Sequence, residues 1–255
     1  MKQRVAVVTG GLQGIGLAIA RALTENGARV AVGSRRGGDP KSIGAAQQAV
    51  GSDGMVDTLD VSSPASVDGF ITKVKNQIGT PEILVNAAGI SVHQTVCGHS
   101  DKDWDDVIDI NLSGPFRMIR ACLPDMKQIG WGRIINIAST AARVAAPTHA
   151  AYCASKAGLV GLTRAVALEG GPRGVTCVAI SPGWVETEML RESARTMAQK
   201  SGRTRAEEIA AMGASNPQNR LIQPQEIAAL AVFCCSEDAA GLTMEDVQVN
   251  AGALW

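Results

Sequence analysis

Short apolar runs alternate with longer segments of helical pattern along the whole chain. The apolar runs, each a predicted strand, are residues 4–9, 29–33, 54–59, 83–86, 133–138, 175–180 and 246–250. The Ala- and Leu-rich helical segments between them include residues 16–26, 63–78, 111–128, 151–168 and 223–235. This alternation requires crossover connections, and several runs are apolar on both sides, as in strands that are covered on both faces. The pattern therefore predicts an α/β fold with a mostly parallel, seven-stranded sheet and helices on both faces.

One segment interrupts the alternation. Residues 187–219 are polar and helical in pattern, and they follow a Pro-Gly turn after the sixth predicted strand. Ligands of open α/β sheets bind beyond the carboxyl ends of the strands, so we expect a helical insertion that borders the substrate. No linker, repeat or low-complexity tract divides residues 1–255, which predicts a single domain.

Composition and charge exclude several classes of protein. The 24 Lys and Arg residues balance the 24 Asp and Glu residues, so the broad basic surface of a nucleic-acid-binding protein is not expected. A hydrophobic fraction of 45% excludes intrinsic disorder. No apolar run reaches the ~18 residues of a membrane helix, and the first apolar run is too short for a signal peptide. The six cysteines form no CxxC pair and no metal-ligand spacing. We expect a cytoplasmic protein with buried thiols, no metal, and neither nucleic acid nor membrane as a partner.

A glycine-rich segment, residues 9–16, joins the first predicted strand to the first predicted helix. Its glycines Gly10, Gly14 and Gly16 permit a tight turn, in which backbone N–H groups approach a pyrophosphate at a helix N-terminus. An ordinary strand–helix turn is the alternative interpretation. The spacing is wider than that of the common dinucleotide fingerprint.

This spacing, together with motifs that follow in order, resembles the short-chain dehydrogenase/reductase family over essentially the full length. The motifs are residues 9–16, Asp60-Val61, Asn86-Ala87-Ala88-Gly89, Asn111, Ser139, residues 152–156 and Pro182-Gly183. The resemblance implies a Rossmann-type, doubly wound fold. It also implies an oxidoreductase that transfers a hydride between a nicotinamide cofactor and a carbonyl or secondary alcohol.

The same resemblance implies which residues bind the cofactor. Asp60 and Val61 would hold the adenine, and Thr187 would contact the nicotinamide carboxamide. The full expected set is Gly10, Leu12, Gln13, Gly14, Ile15, Gly16, Ser34, Arg35, Asp60, Val61, Asn86, Ala87, Ala88, Gly89, Tyr152, Lys156, Pro182, Gly183 and Thr187.

Four polar residues are the candidate catalytic group. Tyr152 and Lys156 are four residues apart and share a helix face, so the ammonium is expected to lower the phenol pKa from ~10. From spacing alone, a tyrosine packed beside a solvated lysine is equally compatible. Ser139 closes the fifth predicted strand and could instead cap the next segment. In the family, Asn111 holds a water that links the lysine to solvent.

The residues after the second predicted strand bear on cofactor choice. The sequence there is Ser34-Arg35-Arg36, with no carboxylate before Asp39. An acidic residue would repel a ribose 2′-phosphate, whereas Arg35 can bind it with Ser34 as a second donor. The sequence therefore predicts NADP(H) over NAD(H), and a solvated arginine pair is the alternative.

Substrate class and assembly are less well defined. Candidate substrate contacts are His93, Gln94, Arg143, His149 and Trp184. The chain resembles bacterial ketoreductases of acyl thioesters and polyketides, and also 3-hydroxybutyrate dehydrogenases. The latter carry a glutamine and a histidine for the substrate carboxylate, where this chain has Ser91 and Ala141. A non-redox enzyme of the same fold and a catalytically silent cofactor-binding protein are remote alternatives.

By the same resemblance, the helices predicted at 111–128 and 151–168 would pair across a twofold axis. This pairing implies a homotetramer or a dimer. The C-terminal segment 241–255 departs from the family pattern, because it reads Asn250-Ala251-Gly252 where relatives usually end near Asp-Gly-Gly.

Overall fold

The computed structural model describes residues 3–35 and 40–253, so Arg36 and Asp39 lie outside the described residues. Within these ranges a seven-stranded, wholly parallel sheet has the order β3-β2-β1-β4-β5-β6-β7. Its strands are β1 (Val5–Thr9), β2 (Arg29–Ser34), β3 (Met55–Thr58), β4 (Ile83–Asn86), β5 (Gly132–Ile137), β6 (Val175–Pro182) and β7 (Asp246–Val249). The predicted parallel α/β sheet is confirmed.

Helices connect the strands. They are α1 (Gly14–Glu25), α2 (Pro40–Val50), α3 (Pro64–Gln77), α4 (Asp101–Ile108), α5 (Gly114–Ile129), α6 (Ala150–Gly170), α7 (Glu188–Ser201), α8 (Arg205–Ala214) and α9 (Pro224–Cys234). The prediction of one helix over 111–128 was wrong in its first turn. A π-helical segment, Asp109–Ser113, links α4 to α5. Pro115 has no N–H to continue the ordinary ladder, and the Gly114 N–H bonds to the Asp109 carbonyl five residues back.

The two faces of the sheet carry separate hydrophobic cores. Ala6 and Val8 point to the face that α1, α2 and α9 cover. Val5 and Val7, the alternate residues of the same strand, point to the face that α3, α5 and α6 cover. Burial on both sides explains why β1 reads as a continuous apolar run rather than as an alternation.

The strand order reverses between β1 and β4, which both lie in the middle of the sheet. Strands β2 and β3 extend to one side of β1, whereas β5, β6 and β7 extend beyond β4. Thr9 pairs with Asn86, and Asn86 with Asn136, so the carboxyl ends of β1, β4 and β5 are level. A reversal of this kind opens a crevice at the carboxyl edge of the sheet, and the cleft described below lies there.

Residues 187–219, predicted as a helical insertion, contain α7 and α8. The two helices pack on each other through Leu190, Ala194 and Met212, with Trp184 against this cluster. Thr187 caps α7, because its hydroxyl accepts a hydrogen bond from the Leu190 N–H at 3.3 Å. Among the described residues, no helix has both the length and the apolar character needed to cross a bilayer.

Candidate active site

A cleft of about 370 Å³ opens at the carboxyl ends of β1, β2, β4, β5 and β6. The predicted cofactor residues that line it are Gly10, Leu12, Gln13, Gly14, Ile15, Gly16, Ser34, Arg35, Val61, Ala87, Ala88, Gly89, Tyr152, Lys156, Pro182, Gly183 and Thr187. Ser139 lies in the same lining. The structure thus brings together, in one cleft, residues that are distributed over most of the chain.

The glycine loop is shaped by close backbone contacts. Gly10 has a φ of +68°, and a Cβ there would lie 2.8 Å from the Cα of Ala88. A Cβ on Gly16 would lie 2.5 Å from the carbonyl oxygen of Gly10. Only glycine fits either position without displacing backbone. The Thr9 hydroxyl accepts hydrogen bonds from the N–H groups of Ala87 and Ala88, both at 3.1 Å, and so fixes the loop to the end of β4.

The N-terminus of α1 fits an anionic group. In the described chain, Gln13 forms no side-chain cap on this helix, and the first turn contains no acidic residue. The first N–H groups of a helix have no partner within it, and the helix dipole favours negative charge there. Since this end of α1 faces the cleft through Gly14, Ile15 and Gly16, it suits the pyrophosphate of a dinucleotide.

Two residues at the carboxyl end of β2 line the end of the cleft that we call its far end. Ser34 and the exposed Arg35 line it, together with Ser42 of α2, which the sequence reasoning missed. Val61 lines the cleft nearby, whereas Asp60 is not part of the lining within the described residues. Burial raises the pKa of Asp60, but hydrogen bonds from Ser62 and then the charge of Arg35 bring that pKa below its usual range.

Lys156 is buried and lies at the bottom of the cleft. It is 5% exposed, and its Nζ donates a hydrogen bond to the Ile137 carbonyl oxygen at 2.8 Å. Burial lowers the pKa of this ammonium from 10.5 to about 8. A Cβ on Gly89 would lie 3.7 Å from the Lys156 Nζ, in ordinary contact, so the loop after β4 packs beside the lysine.

Tyr152 shares the cleft lining with Lys156 and Ser139. Its ring centre is 5.6 Å from the Lys156 Nζ. The expectation that Lys156 lowers the Tyr152 pKa was wrong for this structure. Burial raises the pKa of Tyr152 above 10, the Ser139 side chain only partly offsets this effect, and the Cys153 thiol adds to the increase. The phenol therefore carries its proton at neutral pH.

Asn111 lies behind the cleft lining, fully buried in the π-helical segment. Its Oδ1 accepts from the Ile90 N–H at 2.9 Å, and its Nδ2 donates to the Ile90 carbonyl at 2.9 Å and to the Ser155 hydroxyl at 3.1 Å. The Ser155 hydroxyl in turn donates to the Tyr152 carbonyl oxygen at 2.8 Å. Asn111 therefore joins the loop after β4 to the helix that carries Tyr152.

Asn86, also outside the lining of the described chain, donates through its Nδ2 to the Asn136 Oδ1 at 2.8 Å.

The structure places two of the five candidate substrate contacts in the cleft lining. His149 and Trp184 line the cleft. His93 packs edge-on against His149 with ring centres 4.2 Å apart, and its Nε2 lies 3.2 Å from the Ser193 Oγ. Burial, followed by the nearby His149 and Lys200, lowers the pKa of His93 from 6.5 to about 4.

The other two candidates point elsewhere. Gln94 is exposed, and its backbone bridges to the segment before α6 through a bond from its N–H to the Thr148 carbonyl. Arg143 is bound to Asp246 on β7 through its Nε at 2.8 Å. Within the described residues, neither side chain belongs to the cleft lining.

Several lining residues were missed by the sequence reasoning. They include Ser42, Ile90, Thr140, Val144, Ala145, Ala146 and Val185, whereas Glu188, Met189, Leu190 and Ser193 belong to the helical insertion that was expected to border the substrate. Most of them follow directly after β4, β5 or β6, so their position beyond a strand end was the available signal.

Comparison with known proteins extends these observations. A family model described as enoyl-(acyl carrier protein) reductase matches residues 10–253. The D-beta-hydroxybutyrate dehydrogenase of Rhizobium meliloti is 37% identical, with 98% of each chain covered. The 3-oxoacyl-(acyl-carrier-protein) reductase FabG of Pseudomonas aeruginosa is also 37% identical, over 99% of this chain and 98% of its own.

Two polyketide reductases are similar as well. A putative monensin polyketide synthase ketoacyl reductase of Streptomyces virginiae is 39% identical, over 98% of this chain and 96% of its own. A crystal structure of an actinorhodin polyketide ketoreductase variant with NADPH superimposes with a TM-score of 0.94 at 33% identity, and 99% of each chain is covered.

Proposed function

This chain belongs to the short-chain dehydrogenase/reductase family of oxidoreductases, which act on CH–OH and C=O groups with NAD(P), and we propose that it is an NADPH-dependent ketoreductase of 3-oxoacyl thioesters or related ketones. The observation that carries this proposal is that Ser139, Tyr152 and Lys156 line one cleft, with the Tyr152 ring centre 5.6 Å from the Lys156 Nζ. The glycine loop at the N-terminus of α1 lies in the same cleft.

The three side chains divide the acid–base work of carbonyl reduction. A bound nicotinamide cofactor would supply the hydride. The Ser139 hydroxyl donates a hydrogen bond to the carbonyl oxygen, while Tyr152 transfers its proton to the same oxygen as the alkoxide develops. The raised pKa of Tyr152 keeps the phenol protonated before the reaction, as a general acid requires. Lys156, whose ammonium has a pKa of about 8, then supports the phenolate and its reprotonation.

NADPH rather than NADH is supported by the far end of the cleft. Arg35 is exposed there and reaches a position from which its charge acts on Asp60. Its guanidinium can bind a 2′-phosphate by charge-assisted hydrogen bonds, with Ser34 and Ser42 beside it. The sequence from Ser34 up to Asp39 holds no carboxylate that would repel that phosphate.

A ketone without a carboxylate fits the inner part of the cleft. Ser91 and Ala141, which by resemblance stand where hydroxybutyrate dehydrogenases hold a carboxylate, both line the cleft and carry no charge. Ile90, Val144 and Leu190 add apolar surface. These residues favour the acyl chain of a 3-oxoacyl thioester over a small 3-hydroxy acid.

A second candidate is NAD-dependent oxidation of a 3-hydroxy acid. The 37% identity to a D-beta-hydroxybutyrate dehydrogenase over 98% of both chains supports it. His149 supports it as well, since this imidazole lines the cleft with its ring centre 6.4 Å from that of Tyr152.

The decisive experiment compares the two reactions in the same enzyme preparation. Acetoacetyl thioester with NADPH or NADH, and 3-hydroxybutyrate with NAD⁺ or NADP⁺, are assayed by the absorbance of the reduced nicotinamide. We expect the highest kcat/KM for the thioester with NADPH. Higher efficiency for 3-hydroxybutyrate with NAD⁺ would establish the second candidate, and no net change of the cofactor in any mixture would contradict both.

Assembly and location belong to the same proposal. Phe116 on α5 is 46% exposed and Leu168 on α6 is 67% exposed, which suits helices that pair with another subunit. We propose a homotetramer and a cytoplasmic enzyme. Light scattering at working concentration should give the mass of four chains, and a stable monomer would contradict the proposed assembly.

A further inference from the structure

Asp246, the first residue of β7, places a buried carboxylate behind the cleft. Its side chain is 1% exposed. Its Oδ1 accepts a hydrogen bond from the Ser181 hydroxyl at 2.5 Å, and its Oδ2 accepts one from the Arg143 Nε at 2.8 Å. The Arg143 Nη2 also donates to the Asp246 backbone carbonyl at 3.0 Å. A carboxylate this deeply buried is stable only when it is paired, so these contacts hold both partners in place.

Arg143, the first partner, ends the turn that begins at Ser139. The Ala142 N–H donates to the Ser139 carbonyl and the Arg143 N–H donates to the Thr140 carbonyl, both at 2.9 Å. The Ser139 hydroxyl accepts a hydrogen bond from the Ala141 N–H at 3.1 Å. The turn is therefore compact. The Arg143 guanidinium, which ends the turn, is held by its two hydrogen bonds to Asp246.

Ser181, the second partner, lies on β6 directly before Pro182 and Gly183. Both of these residues line the cleft, on the wall where the nicotinamide is expected. The Gly183 N–H donates to the Val249 carbonyl at 3.0 Å, so this wall is also tied to β7. Asp246 is thus bound on one side to the Ser139 turn and on the other side to the Pro182–Gly183 wall.

We propose that Arg143, Asp246 and Ser181 are positioning residues that set the distance between the Ser139 turn and the Pro182–Gly183 wall. Within the described residues, none of the three belongs to the cleft lining. The proposal rests on the proposed function, since one wall carries the Ser139 hydroxyl that would bind the carbonyl and the other carries Pro182 and Gly183, which would border the cofactor. A misplacement of about 1 Å between reacting groups can cost ~10²-fold in rate, so a small relaxation of this connection is sufficient to slow turnover.

The first test measures the connection itself and needs no activity. Amide hydrogen exchange is compared between wild type, Arg143→Gln and Lys75→Gln. Lys75 is the matched control, because its ion pair with Asp125 joins α3 to α5 away from the cleft and is also partly exposed, 38% and 28%. Arg143→Gln should speed exchange in residues 140–146 and also in residues 180–184, although the described side-chain hydrogen bonds of Arg143 go to Asp246 and not to the second segment. Unchanged exchange at 180–184, or the same change in Lys75→Gln, would overturn the proposal.

The second test measures the catalytic consequence. Arg143→Gln should lower kcat about 10–100-fold with the NADPH dissociation constant changed by less than about threefold, and Arg143→Lys should recover part of the loss. Asp246→Asn in the Arg143→Gln background should add little, because the two residues act as one unit. If the variant with Asp246→Asn does not fold, Ser181→Ala is used instead. This smaller change removes the hydrogen bond between Ser181 and Asp246 and so tests the connection to the Pro182–Gly183 wall.

The outcomes of the second test are distinguishable. Rate losses that multiply in the double variant, or an unchanged kcat in Arg143→Gln, would overturn the positioning role. If the wild type turns over no carbonyl substrate, the proposed function fails. The exchange comparison then decides the connection between the two walls by itself.

Discussion

The Lys156 Nζ donates a hydrogen bond to the Ile137 carbonyl at 2.8 Å and makes its nearest aromatic approach to Tyr152, 5.6 Å from the ring centre. Burial of the amine lowers its pKa from 10.5 to about 8. The enzyme thus keeps a destabilised ammonium beside its proton donor, an arrangement common at catalytic sites.

This pKa has a consequence for stability that can be measured. Between pH 8 and pH 10.5 the unfolded chain binds more protons at Lys156 than the folded chain does, so the lysine makes the free energy of unfolding increase with pH in that window. Lys156→Met lacks the titrating group. Measured by urea unfolding, the free energy of unfolding of wild type relative to that of Lys156→Met should therefore be higher at pH 10 than at pH 8 by about 2 kcal/mol. A difference that is flat, or that decreases with pH, would contradict the lowered pKa.

Gly10 provides a test of the glycine loop. In Gly10→Ala the new methyl group would lie 2.8 Å from the Ala88 Cα on a backbone with φ of +68°, so the loop must shift away from β4. We expect NADPH affinity, measured by fluorescence titration, to fall by at least about tenfold.

The matched control for this loop is Gly69→Ala. Gly69 lies within α3, and a Cβ there meets no atom within 4 Å. This variant should bind NADPH normally and gain up to about 1 kcal/mol of stability, because alanine is the better helix former. Equal affinity in the two variants would show that the loop does not approach the cofactor.

The sequence predicted most of the fold because the dominant signal was local. The strands are buried on both faces and therefore read as apolar runs, as in β1 and β4. The π-helical segment at Asn111 was not predictable in the same way, because the residues before Pro115 follow an ordinary helical pattern. Helix α2, whose buried residues are Ala46, Ala49 and Val50, was also missed.

Side-chain chemistry was harder to predict than position. Arg143 and His149 are both near motifs in sequence, yet one binds the buried Asp246 and the other lines the cleft. The direction of the Tyr152 pKa shift was mispredicted for the same reason. Spacing shows that Lys156 is a neighbour of Tyr152, but only the fold shows that the phenol is buried, which raises its pKa.

Cofactor choice should depend on Arg35 and Ser34. Arg35→Ala removes the charge proposed to bind the 2′-phosphate, so KM for NADPH should rise about 10–100-fold while KM for NADH stays the same. Ser34→Asp should shift the preference to NADH, because a carboxylate repels the phosphate and binds ribose hydroxyls. Steady-state kinetics with both cofactors measure this.

The control for these two variants is Arg21→Ala. Arg21 is an exposed arginine on α1 that, in the described chain, is not part of the cleft lining. It should leave both KM values unchanged. If the unmodified enzyme were more efficient with NADH, or if Arg35→Ala raised both KM values equally, Arg35 would not select the phosphate.

The central claim is that the protonated Tyr152 phenol delivers the proton to the carbonyl oxygen. The most direct measurement mixes NADPH-loaded enzyme with a 3-oxoacyl thioester and follows the loss of reduced nicotinamide in wild type and Tyr152→Phe. General acid catalysis contributes ~10²–10⁴-fold, so the variant should be slower by at least about 10²-fold while NADPH affinity changes by less than about threefold. A Tyr152→Phe enzyme that bound NADPH normally and kept more than about a tenth of the wild-type rate would contradict the account.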